Sequence, residues 1–205
     1  MLALVVALAS HRGIGNANAL PWPRPLAADM AWFRTLSQSI PLISPDRIAL
    51  APSASNAVVM GRRTWDSIPS RFRPLANRIN VVLSRGPARS TENTFFIQTF
   101  EALDSLPLPP SSMTFVIGGR DVYSLALESG RPHLIFATEV FESPECDVFF
   151  PHIDWASYEK RDITRDVSRL IDRTLASAFY SPETATFTEN GTSFKMFLYT
   201  KPETR

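Results

Sequence analysis

The chain has 205 residues, 44% of them hydrophobic and 20% charged, with a formal net charge of +1. That balance suits a globular fold long enough to bury a substantial core in one domain, and it supplies no global field that would draw the molecule to nucleic acid or an anionic membrane. A lone cysteine, Cys146, excludes an internal disulfide and fits a reducing, cytoplasmic setting.

The run Leu2–Ala9 is continuously apolar, lacks a preceding basic region and is too short to span a bilayer, so it reads as a strand covered on both faces. A loop follows, with Gly13, Gly15, Asn16, Asn18 and a Pro21-Trp22-Pro23 clamp. The next stretch predicts a short helix, because Leu26, Met30, Phe33 and Leu36 recur at spacings of three and four. Asp29 sits on that stripe where an apolar residue is called for. Two readings stand at this point. A core-facing carboxylate needs a cationic or hydrogen-bonding partner. A carboxylate near a helix start is equally favoured by the helix dipole and the free N–H groups there.

Pro41, Pro45 and Pro52 predict a loop from Ser37 to Asn56. Ala57–Met60 reads as a short buried strand, and Gly61–Trp65 turns out of it into a short helix. Arg78–Ser84 and Thr94–Ile97 predict further strands, the second followed by a helix over about Phe100–Leu106 capped by Thr99. Met113–Ile117 is a strand running into Gly118-Gly119, with a helix over Asp121–Ser129 closed by Gly130. Leu134–Val140 and Tyr158–Ile163 read as strands, and Leu170, Leu175 and Ala178 lend Val167–Phe179 helical spacing. The chain closes with Thr186–Thr188, a turn at Asn190-Gly191 and the strand Phe194–Thr200. The pattern predicts an α/β fold, one domain over residues 1–205. Its centre is a mostly parallel twisted sheet with a C-terminal antiparallel hairpin and helices on both faces.

Ligands in such sheets bind at the carboxyl ends of the strands. The chemically suggestive groups fall there: Gly13–Gly15, Gly61-Arg62-Arg63-Thr64, Ser84-Arg85 and Gly118-Gly119. Each alone reads as a turn or a solvated surface. Together they suit a ligand with several phosphates, an extra one on the ribose accounting for the arginines. Arg78, flanking a strand, either faces water or binds a carboxylate bidentately. The histidines His11, His133 and His152 are dispersed without metal-ligand spacing, and no metal is expected. Nothing marks Cys146 as a nucleophile.

Taken in order, several motifs make the chain resemble dihydrofolate reductases of the eukaryotic, fungal type. They are Val5-Val6-Ala7, Gly13-Ile14-Gly15, Leu20-Pro21-Trp22-Pro23, Asp29 with Phe33, Val59–Trp65, Ser67-Ile68-Pro69, Arg73-Pro74-Leu75, Arg78–Arg85, Val116–Gly119, and Asp147 with Phe149-Phe150-Pro151. Order and spacing hold from residue 2 to about 155. The resemblance implies reduction of 7,8-dihydrofolate to 5,6,7,8-tetrahydrofolate by hydride transfer from NADPH, supplying one-carbon, thymidylate and purine synthesis. It favours the binding reading of Asp29, whose carboxylate would accept two parallel hydrogen bonds from the pterin. Thr138 would orient that carboxylate, and Trp22 would bind an ordered water beside it. Met30, Phe33, Ile68 and Leu75 would line the pterin and benzoyl pocket, with Val5, Val6 and Ile117 beneath. Arg78 would take the α-carboxylate of the glutamate tail.

For NADPH, the resemblance implies Arg62, Arg63, Ser84 and Arg85 at the ribose phosphate. Gly61, Thr64, Gly118, Gly119, Arg120 and Val122 would lie around the pyrophosphate, with a cis Gly118–Gly119 peptide. Ala7, Ile14, Gly15 and Tyr123 would pack near the nicotinamide, Tyr123 bordering the substrate as well. A monomer that binds antifolates such as methotrexate is expected. Some positions depart from the pattern. Vertebrate relatives carry glutamate where Asp29 stands, Pro25 is an added residue, arginines at 62 and 63 replace lysines, and a basic residue used by vertebrates at the ribose phosphate falls near Thr99. Two competing readings are a riboflavin-pathway pyrimidine reductase, against which Asp29 and Trp22 speak, and a non-catalytic NADPH-binding protein, against which Asp29, Phe33 and Arg78 speak.

Overall fold

A computed structural model of the chain describes residues 1–53 and 55–202. The first strand, β1 (Leu2–Leu8), shows how composition sets position. Leu2, Leu4, Val6 and Leu8 enter the core on one face, whereas Ala3, Val5 and Ala7 belong to the other, as the two-residue strand period requires. A strand apolar on both faces can only lie at a sheet centre, and β1 is hydrogen-bonded on both edges.

The remaining elements follow in chain order. After β2 (Gly13–Gly15) and α1 (Ala27–Ser37) comes a two-stranded hairpin, β3 (Ser39–Ile43) and β4 (Ile48–Pro52). Then come β5 (Asn56–Gly61), α2 (Arg62–Ser67), β6 (Arg78–Leu83), β7 (Arg89–Thr91), β8 (Thr94–Ile97), β9 (Thr114–Val116), α3 (Arg120–Glu128) and β10 (Pro132–Val140). The C-terminal part adds β11 (Val148–Phe149), β12 (Glu159–Asp162), α4 (Thr164–Leu170), α5 (Arg173–Phe179), β13 (Tyr180–Ser181), β14 (Thr186–Glu189) and β15 (Thr192–Thr200).

Six strands in the order β10-β1-β9-β5-β6-β8 run parallel. β7 closes one side antiparallel, and β15, β14, β13 and β12 extend the other antiparallel. This is the mostly parallel sheet with an antiparallel C-terminal hairpin that the sequence predicts. Between β14 and β15 the turn has positive φ at both Asn190 (51°) and Gly191 (78°), the pairing that an Asn-Gly hairpin turn favours. Since β9 lies between β1 and β5, the loops leaving β1, β5, β6 and β9 all emerge at one carboxyl edge. A small β2–β11 ladder ties the first of these loops to residues 147–150, aided by Asp147, whose carboxylate accepts from the Ala17 N–H at 3.0 Å.

Four expectations need correction. Residues 37–56 carry the β3–β4 hairpin rather than a plain loop: Pro41 and Pro52 forbid helix but are tolerated in a ladder of two edge strands. Ala54, within that expected loop, lies outside the described residues. The helix predicted over Phe100–Leu106 is a single tighter turn, Glu101–Ser105, with no side-chain cap from Thr99. The helical stretch 167–179 splits into α4 and α5 at an extended Ile171, and Asp172 caps the second by accepting from the N–H groups of Thr174 and Leu175. Lastly, the buried stripe of α1 is Ala28, Trp32 and Leu36, at intervals of four, and not the predicted Met30 and Phe33. Met30 is 47% exposed, whereas Trp32 is buried edge-on against Phe136 at 6.2 Å. Rotating the helix this way turns Asp29 and Phe33 onto the flank of its buried face.

Candidate active site

Asp29 occupies the third position of α1, where helix N–H groups commonly stabilise a carboxylate. Here those groups are already engaged. Glu189, at the end of β14, is buried, and its two carboxylate oxygens accept from the N–H of Ala27 (2.6 Å) and of Ala28 (2.7 Å). The dipole reading of Asp29 therefore loses its support. What Asp29 meets instead is Thr138 on β10, whose hydroxyl donates to Oδ1 at 2.6 Å. Oδ2 makes no hydrogen bond among the described residues. Burial pushes the Asp29 carboxyl up to about 6; the Thr138 hydrogen bond pulls it back, and the negative charge of Glu189 adds to the rise.

Around this acid the strand period decides which predicted residues line the cleft. Val5, Ala7, Ile68, Leu75 and Ile117 are partly buried on the face that α1 covers, and Phe33 is half-buried beside them. Val6 is a correction: it is buried among the α3-side residues, so its side chain cannot line the pocket. Tyr123 is likewise buried on the α3 side, where burial pushes its phenol well above the usual range. Its hydroxyl donates to the Val5 carbonyl at 2.7 Å, so it braces the cleft floor from behind. Ile14 packs with that same cluster. Trp22 is 5% exposed, and its indole Nε1 is buried without a partner among the described residues. Such an N–H is costly to leave unsatisfied, which marks a place for a polar ligand atom or water.

Arg78 does not face water. It is 7% exposed, donating through Nε to the Ala76 carbonyl (3.0 Å) and through Nη1 to Ser37 Oγ (2.8 Å), with its guanidinium 5.6 Å from the Phe33 ring centre. Burial, with Arg34 nearby, lowers its affinity for the proton to a pKa of about 10, and it remains charged at neutral pH. It lines a polar cavity of about 410 Å3 together with Gln38, Ser53, Ser55, Asn77 and Asn93. A desolvated guanidinium with no carboxylate beside it among the described residues suits an anionic ligand.

On the cofactor side, the Gly118–Gly119 peptide is cis, and Gly118 has φ +117°, a conformation open to glycine but not to other residues without strain. The Gly61 N–H donates to the Gly118 carbonyl at 2.8 Å, locking the ends of β5 and β9 together. A methyl group on Gly61 would approach Val122 at 3.2 Å, and one on Gly119 would approach the Thr64 hydroxyl at 3.4 Å. Val122 is therefore a buried spacer behind the glycines, and Thr64 stands beside Gly119 at the start of α3. The arginines divide. Arg62 is paired with Asp66 at 2.7 Å, and Arg73 approaches the same carboxylate at 3.4 Å. Exposed Arg63, Arg85 and Arg120 form no ion pair among the described residues.

Sequence reasoning missed three side chains that build the site. Glu189 was detectable only as a carboxylate sharing the inward face of β14 with Phe187. Asn80 accepts from the Leu75 N–H (2.9 Å) and donates to the Leu75 and Arg78 carbonyls (3.0 and 3.1 Å), fixing the loop that carries Leu75. Asn56 donates to the Ser37 and Ser39 carbonyls at the end of α1 and accepts from the Met113 N–H. Both asparagines are fully buried, Asn56 at the start of β5 and Asn80 two residues into β6, and no local pattern marks either as a buried hydrogen-bonding residue.

Sheet order, glycine edge and acid-bearing cleft together define an α/β protein with a half-open cleft at the carboxyl edge of its sheet. Comparison with known proteins gives its family. The family model described as dihydrofolate reductase matches residues 51–173. The dihydrofolate reductase of Schistosoma mansoni is 33% identical over 98% of this chain and 96% of its own length. That of Pneumocystis carinii is 32% identical over 81% of this chain and 83% of its own. The bifunctional dihydrofolate reductase-thymidylate synthase 2 of Arabidopsis thaliana is 39% identical over 76% of this chain, which spans only 27% of the longer plant protein. The chain belongs to the dihydrofolate reductase family. Relatives so spread among plant, flatworm and Pneumocystis do not single out a fungal branch.

Proposed function

We propose that the chain reduces 7,8-dihydrofolate to 5,6,7,8-tetrahydrofolate with NADPH, as one catalytic unit acting as a monomer in the cytoplasm. The observation that carries this reading is Asp29: a carboxylate held by Thr138 on the flank of an apolar cleft, with one oxygen uncommitted and its backbone stabilisation taken by Glu189. An acid held so is matched by a planar ring offering an N–H and an amino group side by side. Phe33, Ile68, Leu75, Val5 and Ile117 supply apolar walls for that ring. The desolvated Arg78 fits the tail carboxylate, and the partnerless Trp22 N–H fits a water beside the acid.

The groups at the glycine edge fit NADPH: backbone N–H groups of Gly118 and Gly119 with Thr64 and Arg120 for the pyrophosphate, and Arg63, Arg85 and Ser84 for the ribose phosphate. Arg62 already donates through Nε to Asp66, which leaves its Nη groups to join them. When bound, NADPH supplies the hydride that carbon 6 of dihydrofolate receives. Asp29 anchors the ring and stabilises the positive charge that develops as nitrogen 5 takes a proton from water. Thr138 keeps the carboxylate in the plane of the ring, and Tyr123 holds the β1 backbone beneath it.

The deciding assay follows nicotinamide absorbance. Oxidation of NADPH is expected only when dihydrofolate is present, and methotrexate should stop it. A protein that binds NADPH without oxidising it, or that prefers a pyrimidine of the riboflavin route, refutes the reading. Two variants sharpen it. Arg78→Leu should raise KM for dihydrofolate by about a hundredfold, the loss of a charge-assisted pair, while kcat changes far less. Arg120→Ala should weaken NADPH binding in a fluorescence titration, and an unchanged Kd removes Arg120 from the site.

A further inference from the structure

Glu189 lies on the C-terminal hairpin, 162 residues beyond Ala27, yet it closes the first turn of the helix that carries Asp29. Leu26, at the position before that turn, offers no side-chain cap, and Pro25 precedes it. The helix start thus depends on a residue from another part of the chain. A free carboxylate 2% exposed would be expelled from the interior, but both oxygens of Glu189 are satisfied by helix N–H groups whose partial positive charge offsets its own. Those same N–H groups would otherwise favour ionised Asp29, two residues further along.

We propose that Glu189 is a positioning residue for Asp29, holding α1 in the register at which Asp29 meets Thr138 and keeping a second negative charge behind the catalytic carboxylate. The proposal rests on the reading of Asp29 as the pterin-binding acid and deepens it. Two effects act in one direction. Glu189 repels the Asp29 anion directly, and it consumes the helix-terminal N–H groups that would stabilise that anion. The other groups whose charge or hydrogen bonding bears on Asp29 are Thr138 from β10, which favours the anion by hydrogen bonding, and, behind the β1 backbone, the neutral Tyr123 from α3. The remaining cleft walls, Val5 of β1 and Ile117 after β9, carry no charge.

Consequently Asp29 holds a proton more readily than its Thr138 contact alone would allow, and its strength as an acid is set partly from the C-terminal hairpin. The test uses Glu189→Gln and Glu189→Asp in the full chain. The Asp29 carboxyl is followed by 13C NMR, its resonance assigned by its absence in Asp29→Asn. Wild type should titrate near 6. Glu189→Gln removes the charge and turns its amide N–H2 toward a helix N–H. It should move the midpoint clearly downward, shift the pH profile of kcat/KM the same way, and lower kcat/KM by about tenfold through misplacement of the acid. NADPH affinity should stay unchanged. Glu189→Asp keeps the charge but shortens the reach, so kcat/KM should fall while the midpoint stays nearer to wild type. A midpoint and pH profile unmoved in Glu189→Gln overturn the proposal, even if the melting temperature drops, because a purely structural cap would lower stability alone. Should Glu189→Gln fail to fold, a Glu189→Asp midpoint as low as that of a pocket without the charge overturns it as well. Full turnover in Asp29→Asn would instead defeat the reading of Asp29 itself, and the NMR titration would still report the coupling between the two acids.

Discussion

Asp29→Asn is expected to make the ligand-free protein more stable and nearly inactive. Burial raises the Asp29 carboxyl from its ordinary 3.8 to about 6, so the folded state pays for ionising it. Between pH about 4 and 6 the native protein holds a proton that the unfolded chain has already released, and stability therefore declines as pH rises through that window. Above it, the loss is complete. A displacement of this size corresponds to about 3 kcal/mol, and water reaching the open side of the cleft reduces it to about 2 kcal/mol. Asparagine keeps an oxygen for Thr138 and has no charge to bury. For a chain of this length, about 2 kcal/mol is about 4–8 °C in Tm. Melting curves at pH 7.5 should show that gain, and the gap should close as pH falls toward 4. A variant less stable than wild type at pH 7.5, or a gap independent of pH, contradicts the burial argument. Turnover with dihydrofolate should drop by about 10²–10³-fold, with NADPH binding intact.

The second large effect concerns Gly13. Its backbone is ordinary extended chain, φ −63° and ψ 133°, so conformational freedom is not what it provides. Space is. A methyl group there would sit 2.2 Å from Cys146 Sγ and 2.9 Å from Cys146 Cβ. Gly13 and Cys146 face each other where the β2 loop meets residues 146–150, and that loop leads on to Gly15 and Trp22. Gly13→Ala should cost about 1–3 kcal/mol as overpacking and lower kcat/KM, because the loop must move away. Cys146→Gly, added to it, should restore most of both. Cys146→Ala removes only the sulfur and should restore less. Melting temperature and kcat/KM across the three variants check the order; an unperturbed Gly13→Ala single variant refutes it.

Much of this architecture was legible because its cause is local. β1, β5 and β10 announce themselves as apolar runs too short for anything but central strands. The Asn-Gly turn and the glycines after β9 follow from backbone conformations that few other residues adopt. The cleft was harder. Apolar spacing could not show which side of α1 turned inward, since Leu26, Met30 and Phe33 fit a stripe as well as Ala28, Trp32 and Leu36; the larger indole won the core. Val6 failed for a plainer reason, as neighbouring residues in a strand cannot share a face. Least legible were Glu189 and Asn56, whose work is to bond backbone groups far away in sequence, and Asn80, which pins a loop a few residues before it. No periodicity marks a long-range hydrogen bond.

That separation has a consequence for how the molecule is made. The bonds that set the cleft join Ala27 to Glu189 and Asp29 to Thr138, and the latter two are 109 residues apart. Closing such distant pairs is the slow part of acquiring a native topology. The parallel strands can pair without that hairpin, but the acid stays loosely held until β14 and β15 have docked against α1. Competence to bind substrate thus waits on the most distant contacts, made after the bulk of the sheet is in place.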